Sequence, residues 1–520
     1  MVILGLGGLL GDASCAVLVD GTLVAAMEGS KASRSSRHGS LPYGAIEECL
    51  RLARLTPAQV DLVALARPFT RGPESHLHLA LRHQFPNAEI AVVEHHLAHA
   101  ASAYFVSGFE QATVLTLDHA GDFRCGARWA AQGNQLQVDR EWYYPDSLGR
   151  LYGAVTELLG YRSSSDEHKV QWLAASGDGR FTELFCEILS EQARLDASFF
   201  DGSRTARGGF SSKFYSRIGV PDFEPVPSTL APALAQGLQK SVERTVHAMA
   251  GQGENLCVAG GLFYNAMLIE SLEKSGRWKN VFVQPAAGNS GTALGAALQM
   301  WHQKQPGKRT APFSLMLGPS FSQDEIKMVL ENCKLGFSYL RSQEELLAKA
   351  VAKLGERKII AWMQGRMEFG PRALGNRSIL ASPLDPYSTE NLNIFIKHRE
   401  SFRKFAASVP AELAGEYFET GSNARYLATV GRVKPEHRKT FASAILGEDV
   451  VRVHTVVAAD NPLYHRLLLE AGKATGLPVL YNTSFNLFGD PLVSTPRDAV
   501  RSFYSSGIDA LFCGTFLLEK

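Results

Sequence analysis

"LGLGGLLGDASCAVLVD", residues 4–20, reads as an apolar strand, a glycine-rich turn ending in an acid, and a second apolar strand. Residues 116–130, "TLDHAGDFRCGARWA", repeat that plan, which predicts a duplicated fold. Working outward, "TLVAAMEG" (22–29) supplies a third strand and "YGAIEECLRLARL" (43–55) a helix, so a β-hairpin feeds a helix at the start of the chain. Apolar strands return at "VDLVALARP" (60–68), "AEIAVVE" (88–94), "ATVLTLDHAGD" (112–122) and "ENLCVAGGL" (254–262). Helical periodicity over "ALAQGLQKSVERTVHAMAG" (233–251) sits among them, and the alternation predicts a layered α/β unit.

The stretch "WHQKQPGKRTAPFS" (301–314) has two prolines, a glycine and basic residues between long periodic segments, and reads as the main linker. It divides the chain into residues 1–310 and a second α/β unit, 315–520. With 520 residues, 45% of them hydrophobic, the chain is long enough for two or three domains. Lys and Arg number 53 against 52 Asp and Glu, so no global field draws it to nucleic acid or to an acidic membrane. Any anion site must be local. The seven cysteines have no CxxC spacing and fit buried thiols in a reducing cytoplasm. The apolar start lacks a basic n-region and reaches Asp12 early, which predicts neither a signal peptide nor a membrane span.

Three groups of residues have the makings of chemistry. In "EHHLAHAASAYF" (94–105), His95 and His99 stand at i and i+4 and share one face of a helix. Two imidazoles at that spacing chelate one metal, with Asp118 at a strand end as the acidic partner; capping and packing of the helix start is the alternative. In "VAGGLFYNAMLIE" (258–270), Gly260 and Gly261 lie between a strand and a helix, a site for nucleotide approach or simply for tight packing. "PAAGNSGTALGAALQM" (285–300) repeats the arrangement with a small-residue helix suited to close packing.

The third group is cationic. "GRMEFGPRALGNRSIL" (365–380) carries Arg366, Arg372 and Arg377, "FIKHRESFRKFA" (395–406) carries Lys397, Arg399 and Arg403, and Arg452 follows in "VVRVHTV" (450–456). These cations are interleaved with Gly, Pro, Phe and Leu, so the stretches read as buried, and buried cations require an anion. "PVLYNTSFN" (478–486) adds Asn482, Ser484 and Asn486, short polar groups suited to an amide or a ribose.

These same segments, with "LPVLYNTSFNLFGDPLVSTPRDAVRSF" (477–503), "SLGRLYGAVTELLGY" (147–161) and "RHGSLPYGAI" (37–46), resemble the O-carbamoyltransferase family of nodulation and antibiotic biosynthesis (NodU/CmcH) along nearly the whole chain. The resemblance implies an actin-like (ASKHA) N-terminal domain and a YrdC-like C-terminal domain. The latter would convert carbamoyl phosphate and ATP, with Mg(II) accompanying the nucleotide, into carbamoyl adenylate. The former would pass the carbamoyl group to a hydroxyl of a small acceptor, using bound Fe(II). Carried over by motif, Arg372, Lys397, Arg403, Arg452 and Asn482 form the activation site. Gly260, Gly261 and Asn265, with Arg366, Arg377, Ser484 and Asn486, contact the nucleotide and substrate, while His95, His99 and Asp118 hold the metal. Pairing into a homodimer is common in the family.

The chain also departs from the family. Gly11-Asp12 stands where the family has His-Asp, "EGSK" (28–31) replaces a Glu-Glu-Arg run, and "KVQWLAASG" (169–177) replaces Lys-Val-Met-Gly-Leu-Ala-Pro-Tyr-Gly. Asn289 occupies the position of the family's fourth metal ligand, an aspartate, and removes one negative charge. Lys404 and Ala407 replace two prolines. Two other readings are compatible with the ancestry: a tRNA threonylcarbamoyl-type transferase, against which the absence of a basic stripe argues, and a non-catalytic nucleotide-binding relative with a degenerate metal site.

Overall fold

A computed structural model describes residues 1–34, 40–67, 75–121, 123–308, 310, 313–487 and 489–520. The first residues of "RHGSLPYGAI" and several of the expected linker lie outside the described residues.

The N-terminal half contains two five-stranded sheets. The first is built from β1 (Val2–Gly7), β2 (Ser14–Val19), β3 (Thr22–Glu28), β4 (Leu62–Ala66) and β5 (Glu89–Val93), in the order β3-β2-β1-β4-β5. The second uses β6 (Gln111–Gly121), β7 (Arg124–Gln132), β8 (Gln135–Tyr143), β9 (Gly253–Ala259) and β10 (Trp278–Val283), in the order β8-β7-β6-β9-β10. Each is an antiparallel meander of three strands to which two parallel strands are added across the first. The duplication expected from the two strand-turn-strand openings is therefore present as one topology used twice.

Two helices, His95–Ser107 after β5 and Gly291–Lys304 after β10, pack against each other. They share a core with both sheets, which includes Ile3, Leu62, Val114, Cys257, Ala98 and Leu294. Small residues make this approach feasible. A Cβ at Gly295 would sit 1.7 Å from the Ala98 carbonyl oxygen, and one at Gly5 would sit 2.0 Å from the Ala293 carbonyl oxygen. The outer faces are covered by helix Tyr43–Ala53 on the first sheet and Ala231–Ala250 on the second.

The C-terminal half is a ten-stranded mixed sheet. Its central strands run side by side in the order Ile360–Met363, Arg377–Ala381, Leu480–Ser484, Ala406–Pro410 and Val450–Val456. Apolar clusters cover both faces. The halves are joined by polar contacts as well as by chain. Glu273 of the N-terminal half accepts from the backbone and side chain of Asn423 and from Thr429 Oγ1, and buried Lys31 donates to the carbonyls of Glu368 and Gly370.

Candidate active site

Glu94 caps helix His95–Ser107 by accepting from the backbone N–H groups of His96 and Leu97. That start fixes the three histidines in different directions. His95 Nε2 and His99 Nε2 lie 3.0 and 3.2 Å from Asp118 Oδ2 at the end of β6. His96 turns away into the core, where its ring nitrogens meet Thr116 Oγ1 at 3.0 Å and the Arg124 carbonyl at 3.2 Å. The i, i+4 pair thus converges on the strand-end acid, and His96 has the packing role. Gly121 makes room for this: a Cβ there would meet the His95 ring at 2.1 Å.

One ligand atom from each of His95, His99 and Asp118 falls within 4.8 Å of the others. Burial alone would raise the Asp118 carboxyl, but the hydrogen bonds from His95 and His99 hold it well below the usual carboxylate range. Burial also pushes the His99 imidazole down, so it is held as a neutral ligand-type group. Asn289 Oδ1 is buried with no hydrogen-bond partner among the described residues, and Asn289 lines the same cavity as Asp118. Two imidazole nitrogens, a carboxylate and an unmatched amide oxygen are a donor set that fits a divalent transition metal.

That cavity, about 410 Å³, is lined by Asp118, Gly261, Asn265 and Asn289 from the N-terminal half and by Arg372 from the C-terminal half. Gly260 adopts φ +106°, and Gly261 lies beside Asp118, so the turn after β9 rests directly on the end of β6. Asn265 caps helix Ala266–Lys274 by accepting from Leu268 N–H, and its amide donates to Gln239 Oε1 at 2.7 Å. Its side chain frames the cavity wall.

Arg372 opens onto a cluster of cations. Lys397 ends a single π-helical turn, Leu392–Lys397, and its Nζ donates to Asn486 Oδ1 at 2.8 Å, to the Asn486 carbonyl at 2.9 Å and to the Ser484 carbonyl. Ser484 and Asn486 therefore hold the lysine in place. Arg452 lies over the Trp172 ring at 5.4 Å; its guanidinium is pushed well below its ordinary range by burial and then by Arg372, Arg399 and Arg403. Lys397 is pushed down by burial and by Arg399 and Arg403. Arg399, brought to about 9 by burial and Arg403, is stacked on Phe405 at 4.3 Å with Nε donated to Asn393. Asn482 donates to the Ala373 carbonyl, while its Oδ1 is buried without a partner among the described residues. The mutual shifts of Arg452, Lys397 and Arg399 mark a concentration of positive charge, which an anion would stabilise.

Arg366 and Arg377, expected among the nucleotide contacts, are placed differently. Arg366 donates to the carbonyls of Val24, Leu317 and Gly318. Arg377 is 1% exposed and donates to those of Gln364, Gly365, Asn376 and Pro319. Both stitch the loop rather than face the cavity, because a guanidinium satisfies several carbonyls that a bent backbone leaves unpaired. The organiser of that loop is Glu368, which sequence reading passed over. Its Oε1 accepts from the backbone N–H groups of Leu374, Asn376 and Arg377. The available signal was a lone acid inside a basic, glycine-rich stretch. Glu28 and Lys31 of "EGSK" continue the support, Glu28 Oε1 accepting from Gly370 N–H at 2.7 Å and from Lys31 Nζ at 2.9 Å.

Comparison with known proteins adds to this geometry. The chain matches the carbamoyltransferase N-terminus family over residues 76–298 and the carbamoyltransferase C-terminus family over residues 351–520. An uncharacterized Synechocystis protein is 34% identical over 100% of this chain and 96% of its own length. The nodulation protein NolNO of Sinorhizobium fredii is 31% identical over 98% of this chain and 79% of its own. The 3'-hydroxymethylcephem O-carbamoyltransferase of Streptomyces clavuligerus is 30% identical over 65% of this chain and 61% of its own.

Proposed function

The chain belongs to the carbamoyltransferase family and is an enzyme that transfers a carbamoyl group; we propose that it first joins carbamate to AMP and then passes the carbamoyl group to a hydroxyl of a small acceptor. The observation that carries this reading is Arg372, a member of the half-buried cation cluster that also lines the cavity onto which Asp118 of the triad opens. In this reading the C-terminal half is a YrdC-like activating domain and the N-terminal half an actin-like transfer domain.

In the activation step Arg372, Arg403 and Arg452 hold carbamoyl phosphate and the phosphates of ATP, and Lys397, whose protons are engaged by Ser484 and Asn486, adds its charge. Asn482 Oδ1, the unmatched acceptor, receives an N–H of the carbamoyl group. Once water has cleaved carbamoyl phosphate to carbamate and phosphate, a carbamate oxygen attacks the α-phosphorus of ATP and pyrophosphate departs with the electrons of the broken bond. The cations stabilise the charge that builds on the leaving groups, in a pocket where water competes weakly. The backbone at Gly261, framed by Asn265, takes the adenosine, and Gly260 lets that turn pack on Leu117. In the transfer step the acceptor oxygen attacks the carbamoyl carbon, AMP leaves with the bonding electrons, and the acceptor's proton passes to the departing AMP phosphate. His95, His99 and Asp118 would hold a divalent metal, Fe(II) in this reading, which supplies Lewis-acid polarisation of the carbamoyl carbonyl. Asn289 would be a weak fourth ligand.

The test is pyrophosphate release from ATP with carbamoyl phosphate present. Release dependent on carbamoyl phosphate supports the reading. A protein that releases none, or releases it equally without carbamoyl phosphate, does not form carbamoyl adenylate.

A further inference from the structure

Helix Glu167–Ala174 belongs to the N-terminal half, yet its side chains reach the cations of the C-terminal half. Lys169 Nζ lies 2.8 Å from Glu400 Oε1 and 3.3 Å from Asp166 Oδ1. Trp172, 5% exposed, is the ring beneath Arg452. His168 lines the cavity, and its imidazole is pushed down to about 4 by burial and then by Arg403 and Arg372. On the same helix, Gln171 Oε1 accepts from the backbone N–H of Ala266, just after the Gly260–Asn265 turn. One short helix therefore touches both the candidate adenosine turn and the cation cluster.

Glu400 is the acid between the two halves. It stands in the loop that carries Lys397, Arg399 and Arg403, lies 3.8 Å from Arg403, and faces Lys169 across the junction. Without it, Lys169 would keep its pair with Asp166 on its own side and lose the ion pair across the junction. With it, the loop is drawn onto the helix that walls the cavity. The pair is only partly exposed, 15% at Lys169 and 33% at Glu400, so water screens it less than a free surface pair.

We infer that Lys169 and Glu400 are a positioning pair that holds the 397–403 loop against the transfer cavity, so that carbamoyl adenylate passes between the two sites without release. This rests on the carbamoyl adenylate reading above. It makes an asymmetric prediction. Lys169→Met removes the bridge but leaves Glu400 beside Arg403, whereas Glu400→Gln removes the bridge and the loop's own ion pair together. Removing both charges costs no more than removing Glu400 alone, because the bridge is already gone.

The test uses the full chain with carbon-labelled carbamoyl phosphate and ATP, without acceptor, following pyrophosphate release and, by rapid filtration, the label retained on the protein. Wild type is expected to retain the label. Glu400→Gln should lose about tenfold more labelled intermediate per pyrophosphate, a size typical of coupling between contacting groups. Lys169→Met should leak less than Glu400→Gln, with pyrophosphate release within about threefold of wild type. The double variant Lys169→Met/Glu400→Gln should leak no more than Glu400→Gln alone, and Lys169→Arg should retain label as wild type does. Equal retention in all variants, loss of retention in Lys169→Arg, or a fall in pyrophosphate release that parallels the leak in Lys169→Met would overturn the inference, as would wild type that releases pyrophosphate but holds no label. Wild type that releases no pyrophosphate would instead count against carbamoyl adenylate itself.

Discussion

Gly260 lies so close to Leu117 that a Cβ at 260 would stand 2.0 Å from the Leu117 carbonyl oxygen, one residue before Asp118. Its φ of +106° is also a conformation that side chains resist. Gly260→Ala should therefore displace the end of β6 and, with it, the carboxylate between the two histidines. The expected result is a destabilisation of at least about 1–3 kcal/mol together with loss of metal binding. Urea denaturation and metal content of the purified variant check this; a variant of native stability that still binds metal would contradict it.

Arg372→Ala and Lys397→Ala each delete charge-assisted contacts in the cation cluster. Each contact is worth on the order of 1.5–3 kcal/mol, so carbamoyl-phosphate-dependent pyrophosphate release should fall roughly ten- to a hundredfold. Circular dichroism should show the fold intact. Wild-type turnover in both variants would place activation elsewhere in the molecule.

At the metal triad, Asn289→Asp restores a carboxylate where the amide oxygen is unmatched. Metal affinity and carbamoyl transfer should rise, while adenylate formation stays as it was. His99→Ala, by contrast, should abolish transfer and weaken metal binding. Equilibrium dialysis against Fe(II) or Zn(II) distinguishes these outcomes. Indifference of metal affinity to both changes would remove the triad from the mechanism.

His168 gives a pH dependence with a definite sign. Burial and the charges of Arg403 and Arg372 bring it down to about 4, below the ordinary histidine value near 6.5. The unfolded chain therefore binds a proton that the folded chain refuses. The neutral ring's contribution is fully present above about 6.5 and is lost as pH falls toward 4. Urea midpoints should drop more between pH 7 and pH 5 in wild type than in His168→Gln. Inorganic phosphate, by neutralising the two arginines, should bring the His168 titration back toward 6.5 in a histidine NMR experiment.

Much of this arrangement was readable from the chain because periodicity and turn chemistry are local. The repeated strand-turn-strand at residues 4–20 and 116–130 foretold the paired sheets, and HxxxH with a strand-end acid foretold the triad. The roles of Arg366 and Arg377 were not readable. Sequence shows that a guanidinium is buried, but whether it meets a ligand or the loop's own carbonyls depends on how residues 317–319 and 364–376 come together in three dimensions. Glu368 was missed for the same reason: its partners are backbone N–H groups, which leave no mark in composition. The bridge from Lys169 to Glu400 spans distant segments and needed the two halves in place.

The contact of helix His95–Ser107 with helix Gly291–Lys304 has a mechanical consequence. At Gly295 and Ala98 the two backbones meet with no side chain between them, and at Gly5 the second helix bears equally hard on β1. Such a joint has no cushion to compress and no methyl groups to slide over one another. The helix that carries His95 and His99 and the helix that begins just after Asn289 therefore behave as one welded strut. That end of the cavity is an anvil. Any opening that admits substrate would act at the opposite wall, where the junction combines the Lys169–Glu400 bridge with an apolar patch of Trp172, Ala266, Val430 and Val450.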